Sequence, residues 1–265
     1  MRRILLLLLC LLPVTARTSE PISTPPKILH TWWFSHYEQI ARRVDIYVPP
    51  TYYQSQITNP IPVLYLIHGI NGYEGAWQDR GSAVDTLATM IAEGRCKPMI
   101  LVMPDCNKWP TPERPLVRGS LWQCLTHYSQ LSHEHILEYA VSDLMTMIDT
   151  TYAVTEQCVV AGLSDGARIA ANIANIRPDR IYTVGLFSPV LSKKQLPVNT
   201  GQQFYIYVGK NDFFKPNGKR FHRRMNKAGY PHLYIENKGN HDWPVWRQNL
   251  SDFLSAISSS EASVE

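Results

Sequence analysis

The chain has 265 residues, of which 45% are hydrophobic and 18% charged. That composition excludes a disordered or fibrous protein and fits one large domain with a sizeable core. The formal charge of +4 is weak and its Lys and Arg are scattered, so nothing points to a nucleic-acid partner. Part of that charge lies in an N-terminal leader. Arg2-Arg3 precede the apolar run Ile4–Leu12, which is too short to cross a bilayer, and Val14-Thr15-Ala16 offers a small-residue cleavage site. Residues 1–16 therefore read as a signal peptide, and the expected location is secreted or periplasmic. Removing Arg2 and Arg3 takes the formal charge from +4 to +2. Cys10 sits inside the apolar run behind Leu9, which is not small, and this reads against a lipid anchor. No later apolar stretch is long enough for stable membrane insertion.

Cleavage leaves Cys96, Cys106, Cys124 and Cys158. Four cysteines in an exported protein allow two disulfides in three connectivities, or four buried thiols. Cys106 and Cys124 flank a long loop, which makes them the first expected pair; Cys96 and Cys158 both precede strands and make the second. No Cys-x-x-Cys spacing supports zinc.

In chain order, residues 17–26 are a Pro- and Ser/Thr-rich linker. Residues 27–35 and 39–48 read as two strands. The second alternates Ile40, Arg42, Val44, Ile46 and Val48 against Arg43, Asp45 and Tyr47, which predicts a half-exposed edge pair. Residues 61–67 form a strongly apolar strand, 75–93 a helix with Trp77, Val84, Leu87, Ala88 and Ile91 on one face, and 98–103 another buried strand. Residues 104–132 make a long loop rich in Pro, Trp and Arg, and loops of that length in compact domains carry function. A helix over 133–150 leads to the run Cys158–Ala161 and a helix over 167–176. Strands at 181–187, 203–208 and 232–236 alternate with helices at 217–228 and 242–257, before a flexible tail at 258–265. The catalytic domain is thus expected over 27–257. Strands alternating with helices predict an α/β protein: a mostly parallel sheet with helices on both faces and an antiparallel N-terminal strand pair.

In such sheets the site lies at the C-terminal strand ends. Those ends are His68-Gly69-Ile70, Asp105, Ser164-Asp165, Ser188, Asp212 and His241. Gly162-Leu163-Ser164-Asp165-Gly166 is a Gly-x-Ser-x-Gly between strand and helix, the setting of a nucleophile elbow. A serine hydroxyl needs a base within reach, and the base needs an orienting acid. His241, in the loop before the last helix, and Asp212, directly after the strand at 203–208, supply these. The order Ser, Asp, His is that of the α/β-hydrolases. Each has a plainer reading: Asp212 as a turn residue, His241 as a surface loop histidine, neighbouring Asp242 as a helix cap. The oxyanion donors are expected to be the backbone N–H of Asp165 and that of Ile70.

The segments His68-Gly69-Ile70-Asn71-Gly72, Met103-Pro104-Asp105, Gly162–Gly166, Gly209-Lys210-Asn211-Asp212 and His241–Arg247 together resemble the putative-esterase branch of the α/β-hydrolase superfamily. That branch holds esterase D, feruloyl and acetyl-xylan esterases, siderophore trilactone esterases and antigen 85-type mycolyltransferases. The resemblance covers about residues 27–255 and implies Ser164, Asp212 and His241 as the triad. This chain departs from the family pattern in having Asp165 where many members have an apolar residue, and Ala167 where they have glycine. Asp165 at a helix start can pair with Arg168 at i+3; its other reading is a carboxylate facing the pocket that repels acidic acyl groups.

The expectation is an exported serine carboxyl-ester hydrolase that needs neither metal nor cofactor and acts on acetyl or feruloyl esters of carbohydrate. Its rivals are an acyltransferase, a siderophore-ester hydrolase and a silent fold that binds carbohydrate. Trp109, Trp122, Lys108 and Arg118 in the long loop are the expected substrate-binding residues, with Arg114 beside them. His133-Glu134-His135 places its histidines at i and i+2, on different helix faces, against a metal site. Trp77, Trp243 and Trp246 read as core.

Overall fold

Val63–Ile67 and Ile100–Pro104 are unbroken apolar runs, and every residue in both is buried, as in strands covered on both faces. The structure, a computed structural model, describes residues 27–36, 40–54, 59–107, 136–191, 197 and 201–261. Its strands are β1 (Ile28–Ser35), β2 (Ile40–Tyr47), β3 (Val63–Ile67), β4 (Ile100–Pro104), β5 (Cys158–Leu163), β6 (Ile181–Phe187), β7 (Gln203–Gly209) and β8 (His232–Asn237). They form one sheet in the order β1-β2-β4-β3-β5-β6-β7-β8. The β1–β2 and β2–β4 pairs are antiparallel and all others parallel. This is the α/β-hydrolase arrangement expected from the sequence, including the antiparallel N-terminal pair.

The helices are α1 (Pro50–Gln54), α2 (Ala76–Asp79), α3 (Ala83–Ala92), α4 (Ile136–Thr151), α5 (Asp165–Ile176), α6 (Lys215–Ala228) and α7 (Trp243–Glu261). Strand alternation divides the core. Val63, Tyr65 and Ile67 point into one layer with Leu144 and Ile148 of α4, Ile169 and Ile173 of α5 and Phe221 of α6. Leu64 and Leu66 point into the other, with Leu87 of α3, Leu250 and Phe253 of α7 and Trp77 of α2. Among the described residues no helix is long and apolar enough to cross a membrane.

Four expectations need correction. The helix expected over 75–93 is two helices, because Ser82 takes a left-handed conformation with φ 50. The second helix restarts with the Gln78 carboxamide oxygen accepting the Val84 N–H at 2.9 Å. The strand pair is not uniformly half-exposed. β1 is the true edge, while β2 is hydrogen-bonded on both sides, and Asp45 and Tyr47 are buried with Val44 and Ile46. The last helix runs on to Glu261, into the expected tail. Finally, no disulfide joins any two of Cys96, Cys106 and Cys158. Cys158 packs in the layer with α4 and α5 and Cys96 in the layer with α3 and α7, so the sheet separates them. Cys124 lies outside the described residues, as do the leader, the linker, Lys108, Trp109, Arg114, Arg118, Trp122 and His133–His135.

Phe253 ties α7 to the sheet. It is fully buried, with ring centroids 5.7 Å from Phe187 and 5.5 Å from Tyr205. Phe253→Ala should cost about 3–5 kcal/mol, read as a lowered urea midpoint with an unchanged denaturant slope.

Candidate active site

Tight packing of backbone on backbone shapes the elbow at the end of β5. A Cβ on Gly162 would overlap the Gly166 carbonyl, and a Cβ on Gly166 would overlap the carbonyl oxygens of His68 and Ile67. Both positions therefore require glycine. Between them Ser164 adopts φ 54, ψ −116 at the start of α5, with its N–H bonded to the Phe187 carbonyl at 2.8 Å. Non-glycine residues at positive φ are strained, and such strain clusters at functional sites. Of four such residues among those described, Asn71, Ser164 and Ser188 lie at the C-terminal ends of β3, β5 and β6; Ser82 is the exception.

The loops after β7 and β8 bring the other two residues to Ser164. Lys210 N–H bonds the Asn237 carbonyl at 2.7 Å and Asn211 N–H the Gly239 carbonyl at 2.9 Å. The two loops meet so closely that a Cβ on Gly209 would lie 2.6 Å from the carbonyl oxygens of Gly239 and Asn240. His241 Nε2 lies 3.0 Å from Ser164 Oγ, and Nδ1 lies 3.0 and 3.1 Å from the two Asp212 oxygens. This geometry suits a Ser164 hydroxyl donating to Nε2 and an Nδ1–H donating to Asp212. Asp242 takes its plainer reading: its carbonyl accepts the Trp246 N–H at 3.1 Å and its carboxylate meets the Val245 N–H at 3.4 Å.

The Asp212 side chain is fully removed from solvent. Burial alone would raise its pKa, but hydrogen bonds from His241, the Ser188 hydroxyl and the Phe214 N–H (2.7 Å) outweigh it and hold the carboxyl below its ordinary 3.8. Around the imidazole stand three aromatic rings: Phe213 at 4.8 Å, Phe214 at 5.1 Å and Trp246 edge-on at 5.0 Å. Sequence reasoning did not single out Phe213 and Phe214, although they directly follow Asp212. It read Trp246 only as core and named Ser188 only as a strand end.

The loop after β3 lies against Ser164. A Cβ on Gly69 would lie 3.5 Å from Ser164 Cβ, and Ile70 sits in the turn closed by Gly72 N–H and the Gly69 carbonyl at 3.0 Å. His68 is buried and braces this turn. Its Nδ1 lies 2.7 Å from the Gly69 carbonyl, and its Nε2 accepts the Cys106 N–H at 2.9 Å. Asp165 is engaged by Arg168, whose Nε donates at 2.7 Å to Oδ1 and Nη2 at 3.4 Å to Oδ2. Trp77 and Trp246 are buried, and Trp243 packs between them at 5.4 and 5.3 Å. No group of three metal-ligating side chains occurs among the described residues.

The family described as "Putative esterase" matches the chain over residues 35–235, well over half its length. The chain belongs to this esterase family. A curated relative, an endo-1,4-beta-xylanase/feruloyl esterase of Xylanibacter ruminicola, is 25% identical over 201 residues. The match spans 74% of this chain but only 26% of that protein. Among solved structures, a ferulic acid esterase of Anaeromyces mucronatus superposes with a TM-score of 0.71 at 20% identity, covering 92% of this chain and 95% of the other. An S-formylglutathione hydrolase of Staphylococcus aureus superposes at 0.69 with 14% identity, covering 90% and 98%. At these identities the superpositions speak for the fold of this esterase-family chain.

The depressed pKa of Asp212 carries a definite sign. Its carboxylate stabilises the folded state above pH 3.8, and that contribution is lost as pH falls through the lower folded value. The difference in unfolding free energy between the protein and Asp212→Asn should therefore shrink as pH is lowered below 3.8. Urea titrations at stepped pH measure it, and a difference that stays constant would contradict the assignment.

Proposed function

We propose that the chain is an exported serine carboxyl-ester hydrolase acting through an acyl-enzyme on acetyl or feruloyl esters of carbohydrate. The observation that carries this reading is the continuous Ser164–His241–Asp212 hydrogen-bonded line at the mouth of a parallel sheet. Ser164 Oγ attacks the ester carbonyl carbon while His241 Nε2 takes its proton. Asp212 holds the imidazole in the Nδ1–H tautomer and balances its charge. The backbone N–H groups of Asp165 and Ile70 receive the developing oxyanion. His241 returns the proton to the leaving alcohol; water, deprotonated by the same imidazole, then attacks the acyl-enzyme and frees the acid and Ser164.

The family match supports ester hydrolysis. The names of the Xylanibacter ruminicola and Anaeromyces mucronatus proteins, an endo-1,4-beta-xylanase/feruloyl esterase and a ferulic acid esterase, support a feruloyl ester linked to carbohydrate. In that reading Trp109, Trp122, Lys108 and Arg118 contact the glycan. Export rests on the leader features at residues 1–16.

Ser164→Ala and His241→Ala should each lower kcat/KM for p-nitrophenyl acetate at least about 1,000-fold, with Asp212→Ala milder. A fluorophosphonate should label the protein at Ser164 and fail on Ser164→Ala. Full activity of Ser164→Ala would end the proposal. A panel of acetylated, feruloylated and siderophore esters, with sugar acceptors added, separates hydrolysis from acyl transfer and ranks the substrates. Because Arg168 balances the Asp165 charge, Asp165→Asn should change kcat/KM for acetyl esters less than about threefold. A large selective gain on a hemisuccinyl ester would instead make Asp165 a specificity element.

A further inference from the structure

Ser188 lies directly after β6, the strand between nucleophile-bearing β5 and acid-bearing β7. It is fully buried with φ 49. Its N–H bonds the Tyr207 carbonyl at 2.7 Å, which clamps it to β7. Its Oγ accepts the Trp246 Nε1–H at 3.0 Å. An indole nitrogen only donates, so the serine must turn its own hydrogen elsewhere, and Asp212, whose carboxyl this hydroxyl helps to hold low, is the neighbouring acceptor. That orientation would run one way, from indole N–H to serine hydroxyl to carboxylate, while the carboxylate accepts the imidazole N–H. Trp246 also touches the far end of this line, its ring standing at 89° to the His241 ring, 5.0 Å away. One residue of α7 therefore meets the base directly and the acid through Ser188. The backbone at Ser188 would suit glycine better. A serine held there at positive φ is explained by the use of its hydroxyl.

We propose that Ser188 and Trp246 are positioning residues for the Asp212–His241 pair: Trp246 fixes the Ser188 hydroxyl as a donor, and that donor holds the carboxylate facing Nδ1. The proposal rests on the ester-hydrolase reading. Neither residue touches the reacting atoms. A carboxylate held by the Phe214 N–H at 2.7 Å and by the Ser188 hydroxyl has less freedom to rotate away from the imidazole. The benefit should appear when the imidazole becomes charged, in kcat rather than in substrate affinity.

The test is steady-state kinetics on p-nitrophenyl acetate with Ser188→Ala, Ser188→Gly, Trp246→Phe, the double variant Ser188→Ala/Trp246→Phe, and Ser164→Ala alongside. The downfield proton resonance of the His241 Nδ1–H is followed in parallel. Ser188→Ala and Ser188→Gly should each lower kcat about 10- to 100-fold with KM within about twofold, and should shift or broaden the Nδ1–H resonance. Trp246→Phe keeps a ring against His241 but loses the donor. Its smaller loss, about threefold to tenfold, should vanish in the Ser188→Ala background, because the two residues act in series. Ser188→Gly, which relieves the backbone, keeps the test usable if the alanine variant does not fold. Wild-type kcat and an unmoved resonance in Ser188→Gly would overturn the relay, as would fully additive losses in the double variant. An inactive Ser164→Ala beside a fully active Ser188→Gly removes only the relay; an active Ser164→Ala removes the hydrolase reading itself.

Discussion

The whole site depends on one strained residue held in place by backbone contact. Ser164, at φ 54 and ψ −116, occupies a conformation that costs roughly 1–3 kcal/mol. It persists because its neighbours leave it nowhere to relax. Gly166 lies against the carbonyls of Ile67 and His68, and Gly162 against Gly166 itself. The Ser164 N–H is bonded to Phe187 at the end of β6. The strands on both sides of β5 therefore fix the direction of the hydroxyl. Helix α5 begins at the next residue, so its amide dipoles point at the same spot.

His241 and Asp212 come from segments with no regular structure of their own at that point, yet they are not loose. Loops after β7 and β8 are joined by main-chain hydrogen bonds at Lys210 and Asn211. Asn237, at the end of β8, donates to Asn249 at 2.8 Å and Asp252 at 3.1 Å on α7. The same helix supplies Trp246 to the back of the imidazole. The parallel strands β5, β6 and β7 thus set the spacing between Ser164 and Asp212, and α7 sets how the histidine loop lies across it. The cost of burying a carboxylate at Asp212 is offset by the donors it meets, the Phe214 N–H and His241 Nδ1.

A second set of braces holds the loops at the β3 and β4 ends. Arg42 projects from β2 into the interior, where its guanidinium donates to the carbonyls of Asp105 at 3.2 Å and Asn107 at 2.7 Å. Asn107 in turn donates to the Gly72 carbonyl at 2.6 Å. With His68 spanning Gly69 and Cys106, these bonds join the expected oxyanion turn to the chain entering the long loop. A buried arginine on a strand's apolar face is costly unless its donors are used, and here two of its contacts fix backbone carbonyls.

What the sequence determined was the periodic and the local. Apolar runs at Val63–Ile67 and Ile100–Met103 announce buried parallel strands, because covering both faces of a sheet demands it. The glycines flanking Ser164 announce the elbow, because only hydrogen fits against another segment's carbonyls. The order Ser164, Asp212, His241 was legible because each follows a strand that could be recognised alone. What the tertiary structure decided was adjacency across distance. Only strand order puts Ser188 between β5 and β7 in reach of an indole 58 residues on. Only the layer packed on that face of the sheet buries Tyr47, which alternation had assigned to a half-exposed face. Only the sheet itself, a layer between Cys96 and Cys158, keeps two thiols apart that chain position had paired. Periodicity records which side of its own element a residue faces; which neighbour it meets there depends on the packing of segments that the local pattern does not describe.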